Sequence, residues 1–147
     1  MNDFLKSYEA VRGGEVGLYE QKRGLVAVWG KEAVQFLNGL ITNDVEKLEE
    51  NSPMRAAFPN AQGRLLALVR VLKMDGKFLF ETEEATHEKV FQNLFRFTFA
   101  GDFFVADLSD NYRFFSIFGQ NPKPKTKSFF KTIILSQKIR WKKSKAN

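Results

Sequence analysis

Apolar residues recur along this chain in two rhythms, one of three to four residues and one of two. The changes between those rhythms mark out its elements. Phe4, Leu5, Tyr8 and Val11 fall at helical spacing and predict a short helix over 2–11, which Gly13 and Gly14 end. Val16 to Tyr19 and Leu25 to Trp29 read as strands around the polar turn Glu20 to Gly24. After Gly30 the rhythm lengthens, and Ala33, Val34, Phe36, Leu37, Leu40 and Ile41 form one apolar helical stripe. Thr42, Asn43 and Asp44 then supply capping groups for a further turn of helix reaching Leu48.

The second half of the pattern is a meander. Met54 to Phe58 and Leu65 to Leu72 predict strands joined by the turn Pro59 to Gly63, and Asp75-Gly76 turns the chain into a third strand, Lys77 to Thr82. Thr86 reads as the cap of a helix carrying Val90, Phe91, Leu94, Phe95 and Phe97. Two more strands follow, Phe103 to Leu108 and Tyr112 to Phe118, about the turn Ser109-Asp110-Asn111. The main order is β-α-β-β-β-α-β-β, with too few helices to cover both faces of a parallel sheet. The expected class is α+β, a mostly antiparallel sheet with two main helices on one face.

Beyond Gly119 the pattern dissolves. Prolines and lysines alternate from Asn121 to Lys127, and Ser128 to Leu135 is apolar enough for one strand or a helical turn. The expected organisation is a domain over 1–119 followed by a linker and basic tail over 120–147. Charge supports that division. Residues 1–110 hold 13 basic and 17 acidic side chains, whereas residues 111–147 hold 10 basic ones and no acid, so the net charge of +6 belongs to the tail.

Composition adds few functional constraints, but they are firm. No cysteine is present, which excludes disulfides, thiolate metal ligation and cysteine nucleophiles in this chain. The opening Met-Asn-Asp-Phe-Leu lacks the basic and apolar regions of a signal peptide, and no apolar run approaches the ~18 residues of a membrane span. The simplest reading is a cytoplasmic protein. Sixteen phenylalanines exceed what a domain of this size readily hides, so an apolar surface patch is expected where a partner or further domain docks.

The chemistry-bearing residues are sparse. The one histidine, His87, has no second histidine to form a metal set and reads as a surface residue at the first turn of its helix. The acid pairs Glu49-Glu50 and Glu83-Glu84 fall in or beside loops, where they are solvated. No catalytic residue and no metal site is expected. In the tail, Lys138, Arg140, Trp141, Lys142, Lys143 and Lys145 combine charge with a ring, a combination that suits nucleic acid, although a solvated terminus explains it more simply.

The most specific stretch runs from Gly24 to Gly63. It holds Val26-Ala27-Val28-Trp29-Gly30, then Phe36-Leu37-Asn38-Gly39-Leu40-Ile41-Thr42-Asn43-Asp44-Val45, then Phe58-Pro59-Asn60-Ala61-Gln62-Gly63-Arg64-Leu65-Leu66 entering a long strand. Asp107-Leu108-Ser109 and Ile117-Phe118-Gly119 add later matches. This series resembles the N-terminal domain of the YgfZ and glycine-cleavage T-protein superfamily, from Gly24 to Gly119.

The resemblance implies a domain of the aminomethyltransferase folate-binding type, with tetrahydrofolate as its ligand. In T-proteins the strand after the glycine turn carries a pair of acids, one of which contacts the folate; here those places hold Ala67 and Leu68. Neither side chain can exchange a proton or steady a developing positive charge. Arg70, two residues on, stands where YgfZ-like members also carry arginine. The departure points to the YgfZ-like branch, which supports iron–sulfur enzyme maturation and, through it, tRNA modification. The family's Lys-Gly-Cys-Tyr-x-Gly-Gln-Glu stretch does not occur here, so the chain reads as a truncated form, partnered by iron–sulfur enzymes or a missing C-terminal domain. The alternatives are a fragment of a tetrahydrofolate-dependent aminomethyltransferase and a basic-tailed nucleic-acid-binding protein. The expected folate contacts are Arg70 and Arg64, whose guanidinium groups suit a carboxylate, and Asn43 and Asp44. Capping alone also accounts for the last two.

Overall fold

The computed structural model describes residues 3–15, 17–118 and 131–136. The class is the expected one, α+β with antiparallel strand pairing throughout and helices covering one sheet face. In chain order the elements are α1 (Asp3–Arg12), β1 (Gly17–Gln21), β2 (Arg23–Trp29), α2 (Ala33–Asn38), β3 (Pro53–Pro59) and β4 (Leu65–Met74). They continue with β5 (Lys77–Glu83), α3 (Glu84–Phe95), β6 (Phe104–Asp107), β7 (Tyr112–Phe118) and β8 (Lys131–Ser136). Short 3-10 turns occupy Val45–Lys47 and Ser109–Asn111.

The strands form two sheets where the local pattern suggests one. A five-stranded sheet has the order β3-β4-β5-β2-β6, and a three-stranded sheet has the order β1-β7-β8. The first lies within a compact unit spanning Lys22–Asp110; the second belongs to a unit formed from the two ends of the chain, up to Gln21 and from Asn111 on. The turn Glu20 to Gly24 looks like a hairpin, yet β1 pairs with β7, Gly17 facing Phe118 and Gln21 facing Phe114. Turn composition carries no information about a partner so distant in sequence. The 131–136 part of the tail adds to the far side of β7 as β8, Lys131 facing Ile117. The basic cluster of residues 138–145 lies outside the described residues.

The main core sits between the five-stranded sheet and its helices. Val26 and Val28 from β2, Phe78 and Phe80 from β5, and Val69 and Val71 from β4 point to one face. There they meet Ala33 and Leu37 of α2 and Val90 and Leu94 of α3. Fully burying one such side chain stabilises by about 1.5–3 kcal/mol. The central strand is buried from both directions, since Leu25, Ala27 and, beside them, Leu79 of β5 alternate to the opposite face and are also inaccessible. That double burial explains why Leu25 to Trp29 reads as a nearly continuous apolar run.

The first core helix is shorter than its stripe. α2 closes at Asn38, where Gly39 forms the C-cap and its N–H reaches Gln35 O. Leu40 and Ile41 still pack, but from the turn that follows. Gly30 is required at the bend from β2 into α2. Its φ is +128°, and a Cβ there would stand 2.6 Å from Asp102 O. The approach of the 102–103 segment lets Phe103 stack on Phe36 with centroids 4.0 Å apart.

Candidate functional site

The segment after α2 closes the free edge of β3. Thr42 N–H donates to Ala57 O at 3.1 Å, and Ala57 N–H donates to Thr42 Oγ1 at 2.9 Å. Asn43 Nδ2 donates to Arg55 O at 3.0 Å, and its Oδ1 accepts from Asp44 N–H. Asp44 caps the Val45–Lys47 turn through Glu46 N–H and is held by Asn38 Nδ2 at 2.9 Å. Hydrogen bonding to Lys47, the Glu46 N–H and Asn38 keeps the Asp44 carboxyl below its ordinary value, against a small opposing effect of desolvation. The polar atoms of both residues are thus engaged in edge closure and capping, the role their residue types suggest.

On the sheet face away from the helices, charge gathers in one row. Register places Arg55 opposite Arg70 and Arg70 opposite Glu81, on three adjacent strands. Glu81 is 5% exposed although it carries a charge. Its Oε2 forms an ion pair with Arg70 Nη2 and has no hydrogen-bond partner besides among the described residues. Its Oε1 lies 3.3 Å from Arg23 Nε, and Arg23 also reaches Glu83 at 3.2 Å. One buried carboxylate therefore fixes two guanidinium groups. Arg70 retains 30% of its side-chain surface, so its planar fork is held in place with one edge open to solvent.

The other expected arginine is elsewhere. Arg64 is exposed in the β3–β4 hairpin, where its backbone closes the turn with Asn60. About 16 Å of strand separates the Leu65 end of β4 from Arg70. The structure does not bring the two arginines together. Between them on β4 lie Ala67 and Leu68. Ala67 is buried in the core, while Leu68 points to the opposite face and is 68% exposed.

His87 is not the surface residue its position suggests. α3 begins two residues before Thr86, with Glu83 as N-cap, and this rotates the histidine inward to 15% side-chain exposure. Nδ1 lies 2.9 Å from Thr82 Oγ1, and Nε2 lies 2.8 Å from Asp107 Oδ2 and 3.2 Å from Ser109 Oγ. Ser109 Oγ donates to Asp107 Oδ1 and accepts from Leu25 N–H at 3.0 Å. In the tautomer with its proton on Nε2, the ring donates to Asp107 and Nδ1 accepts from the Thr82 hydroxyl. Burial pushes the Asp107 carboxyl up, but hydrogen bonds from Ser109 and His87 outweigh it and hold the pKa below the usual value.

These residue types are those of a hydrolytic triad, but the connections differ. A triad sets the hydroxyl and the carboxylate on opposite ring nitrogens. Here Ser109 and Asp107 share Nε2, and the serine gives its proton to the carboxylate, so Ser109 is not activated; the hydroxyl on the opposite nitrogen, that of Thr82, is fully buried and out of a substrate's reach. The cluster is a clasp that fastens α3 and the end of β6 across β2 and β5. Gly24 permits it, since the imidazole lies directly against the backbone there.

The acid pairs at Glu49-Glu50 and Glu83-Glu84 are exposed, as read from sequence. Among the described residues, no three His, Asp or Glu side chains are grouped to hold a metal ion. No helix there is long and apolar enough to cross a membrane. Among the described residues, Phe95, Phe99 and Phe104 are the exposed phenylalanines, at 41%, 90% and 54%.

Comparison with known proteins brings these features together. A family model described as the GCVT N-terminal domain matches residues 3–144. An aminomethyltransferase of Thermoanaerobacter pseudethanolicus is 36% identical over 87 residues, covering 58% of this chain and 23% of that protein. Among solved structures, the glycine cleavage system aminomethyltransferase T from Bartonella henselae superposes with a TM-score of 0.68 at 20% identity. That likeness, one of fold, covers 78% of this chain and 32% of the other. The chain thus spans about a quarter to a third of the relatives it matches.

Proposed function

The chain belongs to the GCVT N-terminal domain family, and from that premise we propose that it is a tetrahydrofolate-binding domain of aminomethyltransferase type. The matching relatives carry the aminomethyltransferase name, which favours this reading over a YgfZ-like one. In the proposal, residues 1–119 form the folate-binding domain, and the segment 120–147, a linker and tail by composition, contributes β8 to it. The observation that carries it is the fixed guanidinium of Arg70, open to solvent on a sheet face bounded by Arg55 and Leu68. A folate carries glutamate carboxylates that such a fork can accept in a bidentate manner. When bound, tetrahydrofolate supplies the nitrogen atoms that receive a one-carbon unit. This chain's own contribution is to orient the ligand, and β4 brings no carboxylate to the transfer point.

The missing acids sustain a second reading. With Ala67 and Leu68 at the places of the T-protein acids, a YgfZ-like role in supporting iron–sulfur enzymes, and through them tRNA modification, uses the same ligand without transfer chemistry. Both readings place the ligand on this chain and no transfer chemistry in it, and the assay tests that shared ground. We expect weak, saturable calorimetric binding of 5-formyltetrahydrofolate to the full chain and no methylene transfer from an aminomethyl donor. Arg70→Lys, which keeps the charge facing Glu81 but loses the planar fork, should weaken binding about tenfold. Arg64→Gln should leave it unchanged. Equal affinities for Arg70→Lys and the original chain would remove Arg70 from the site, and measurable transfer would show chemistry that neither reading assigns to this chain.

A further inference from the structure

The two edges of the five-stranded sheet differ. At one, Thr42 and Asn43 bond to the backbone of β3 at Ala57 and Arg55 and close it. At the other, β6 pairs with β2 and has no strand beyond it among the described residues. Leu108 N–H donates to Leu25 O at 2.8 Å, and by antiparallel alternation Ala106 and Phe104 also turn their backbone groups toward β2. The N–H and C=O groups of Val105 and Asp107 therefore point outward. An edge left in this state is a template for a further strand.

One flank of α3 runs beside that edge. Helix and strand have opposite directions, His87 in the first turn meeting Asp107 at the end of β6. From His87 the rings of Phe91, Phe95 and Phe99 follow at four-residue intervals, with centroids 6.5, 5.6 and 6.5 Å apart. Four helical residues rise about 6 Å and two strand residues about 6.8 Å, so the ladder keeps step with β6. Phe95 and Phe99 are exposed, and Phe99 is held rather than loose, since Thr98 N–H and Oγ1 both donate to Phe95 O. Glu84, Glu88, Phe91 and Phe95 stand at i, i+4, i+7 and i+11 and form one stripe. It is acidic at the end near Asp107 and aromatic at the other.

We propose that the β6 edge and this stripe form a docking groove for an extended peptide segment of another protein, added antiparallel to β6. The segment carries a basic residue and, two positions later, an aromatic or large aliphatic one. Its backbone pairs with Val105 and Asp107, and the residues opposite those two share the helix-side face. The basic side chain meets Asp107, Glu84 and Glu88; the apolar one meets Phe91 and Phe95, with Phe99 closing the end. Backbone pairing supplies affinity and the alternate side chains supply specificity. A four-residue edge and two exposed rings offer far less than the roughly 800 Å² per partner of a stable folded interface. The groove thus suits a short segment rather than a second copy. Nothing in this inference depends on the folate reading, which uses the opposite sheet face.

The probe is the blocked heptapeptide acetyl-Ser-Thr-Lys-Thr-Phe-Thr-Ser-amide, titrated into the full chain and followed by NMR. Saturable shifts are expected at Val105, Asp107, Phe91 and Phe95, with antiparallel backbone NOEs between the peptide and β6. Three comparison peptides should each bind at least about tenfold more weakly: glutamate for the lysine, alanine for the phenylalanine, and N-methylation of those two residues' amides. Glu88→Lys, at an exposed position outside the clasp, should weaken the first peptide about fivefold and leave the thermal unfolding midpoint in place. Phe95→Gln should weaken it about tenfold. No binding at millimolar peptide, or unchanged affinity in both variants, overturns the groove. Equal binding of the N-methylated peptide overturns strand addition and with it the proposal. A peptide-free dimer in sedimentation that Phe95→Gln abolishes makes the occupant a second copy and overturns it too.

Discussion

Replacing Gly24 by alanine is expected to destabilise the fold by about 3 kcal/mol or more, a loss at the severe end for a single methyl group. A Cβ at residue 24 would stand 2.0 Å from His87 Nδ1, 2.3 Å from Cγ and 2.6 Å from Cε1. The ring has little freedom to retreat. It is tied to Thr82 on one side and to Asp107 and Ser109 on the other, and it stacks on Phe91 with centroids 6.5 Å apart. Expelling the imidazole forfeits these bonds and leaves the fully buried Thr82 hydroxyl without its partner, at about 1–3 kcal/mol per orphaned group. The companion experiment is His87→Ala in the Gly24→Ala background. Denaturant unfolding should show the double variant losing well under the sum of the single losses, because without the ring there is no clash and the clasp is lost only once. A Gly24→Ala protein as stable as the original, or strictly additive losses, would contradict the clasp.

The second large effect concerns Glu81. Arg70→Ala removes one of the two guanidinium groups that make a buried carboxylate tolerable, and the expected cost is about 2 kcal/mol. That lies below the 3–5 kcal/mol typical of a fully buried pair, because Arg70 is partly solvated and Arg23 remains. Adding Glu81→Gln to Arg70→Ala should recover part of the loss, since a neutral amide is cheaper to bury than a carboxylate with half its partners. Urea unfolding of the two proteins decides the matter. A double variant no better than Arg70→Ala alone would show that the buried charge is not what the single substitution exposes.

These two clusters mark where the sequence is readable and where it is not. Strand and helix positions follow from periodicity, and the capping role of Thr42, Asn43 and Asp44 follows from their short polar side chains, because both are local matters. The clasp is not local. Thr82 and His87 come from either side of a strand–helix junction, Asp107 and Ser109 lie 20 and 22 residues further on, and Gly24 belongs to another strand. A helix start displaced by three residues, with Glu83 and not Thr86 as the cap, is enough to turn His87 from solvent to interior. The pairing of β1 with β7 was hidden for the same reason, since register between the chain's two ends leaves no mark in either segment. Glu81 did leave one, a charged residue inside the otherwise apolar Phe78-Leu79-Phe80 strand flanked on neighbouring strands by arginines. Of the candidate ligand residues, Arg70 alone is held on the open face by a buried partner; Arg64, equally basic, sits in a turn.

The central claim, that this domain binds a folate across the β3–β4 face, is tested most directly by recording amide spectra of the full chain during a titration with 5-formyltetrahydrofolate. The account predicts saturable shifts centred on Arg55, Ala57, Leu68 and Arg70, with the His87 clasp undisturbed. Spectra unchanged at millimolar folate, or shifts confined to the helix-covered face around α3, would contradict it.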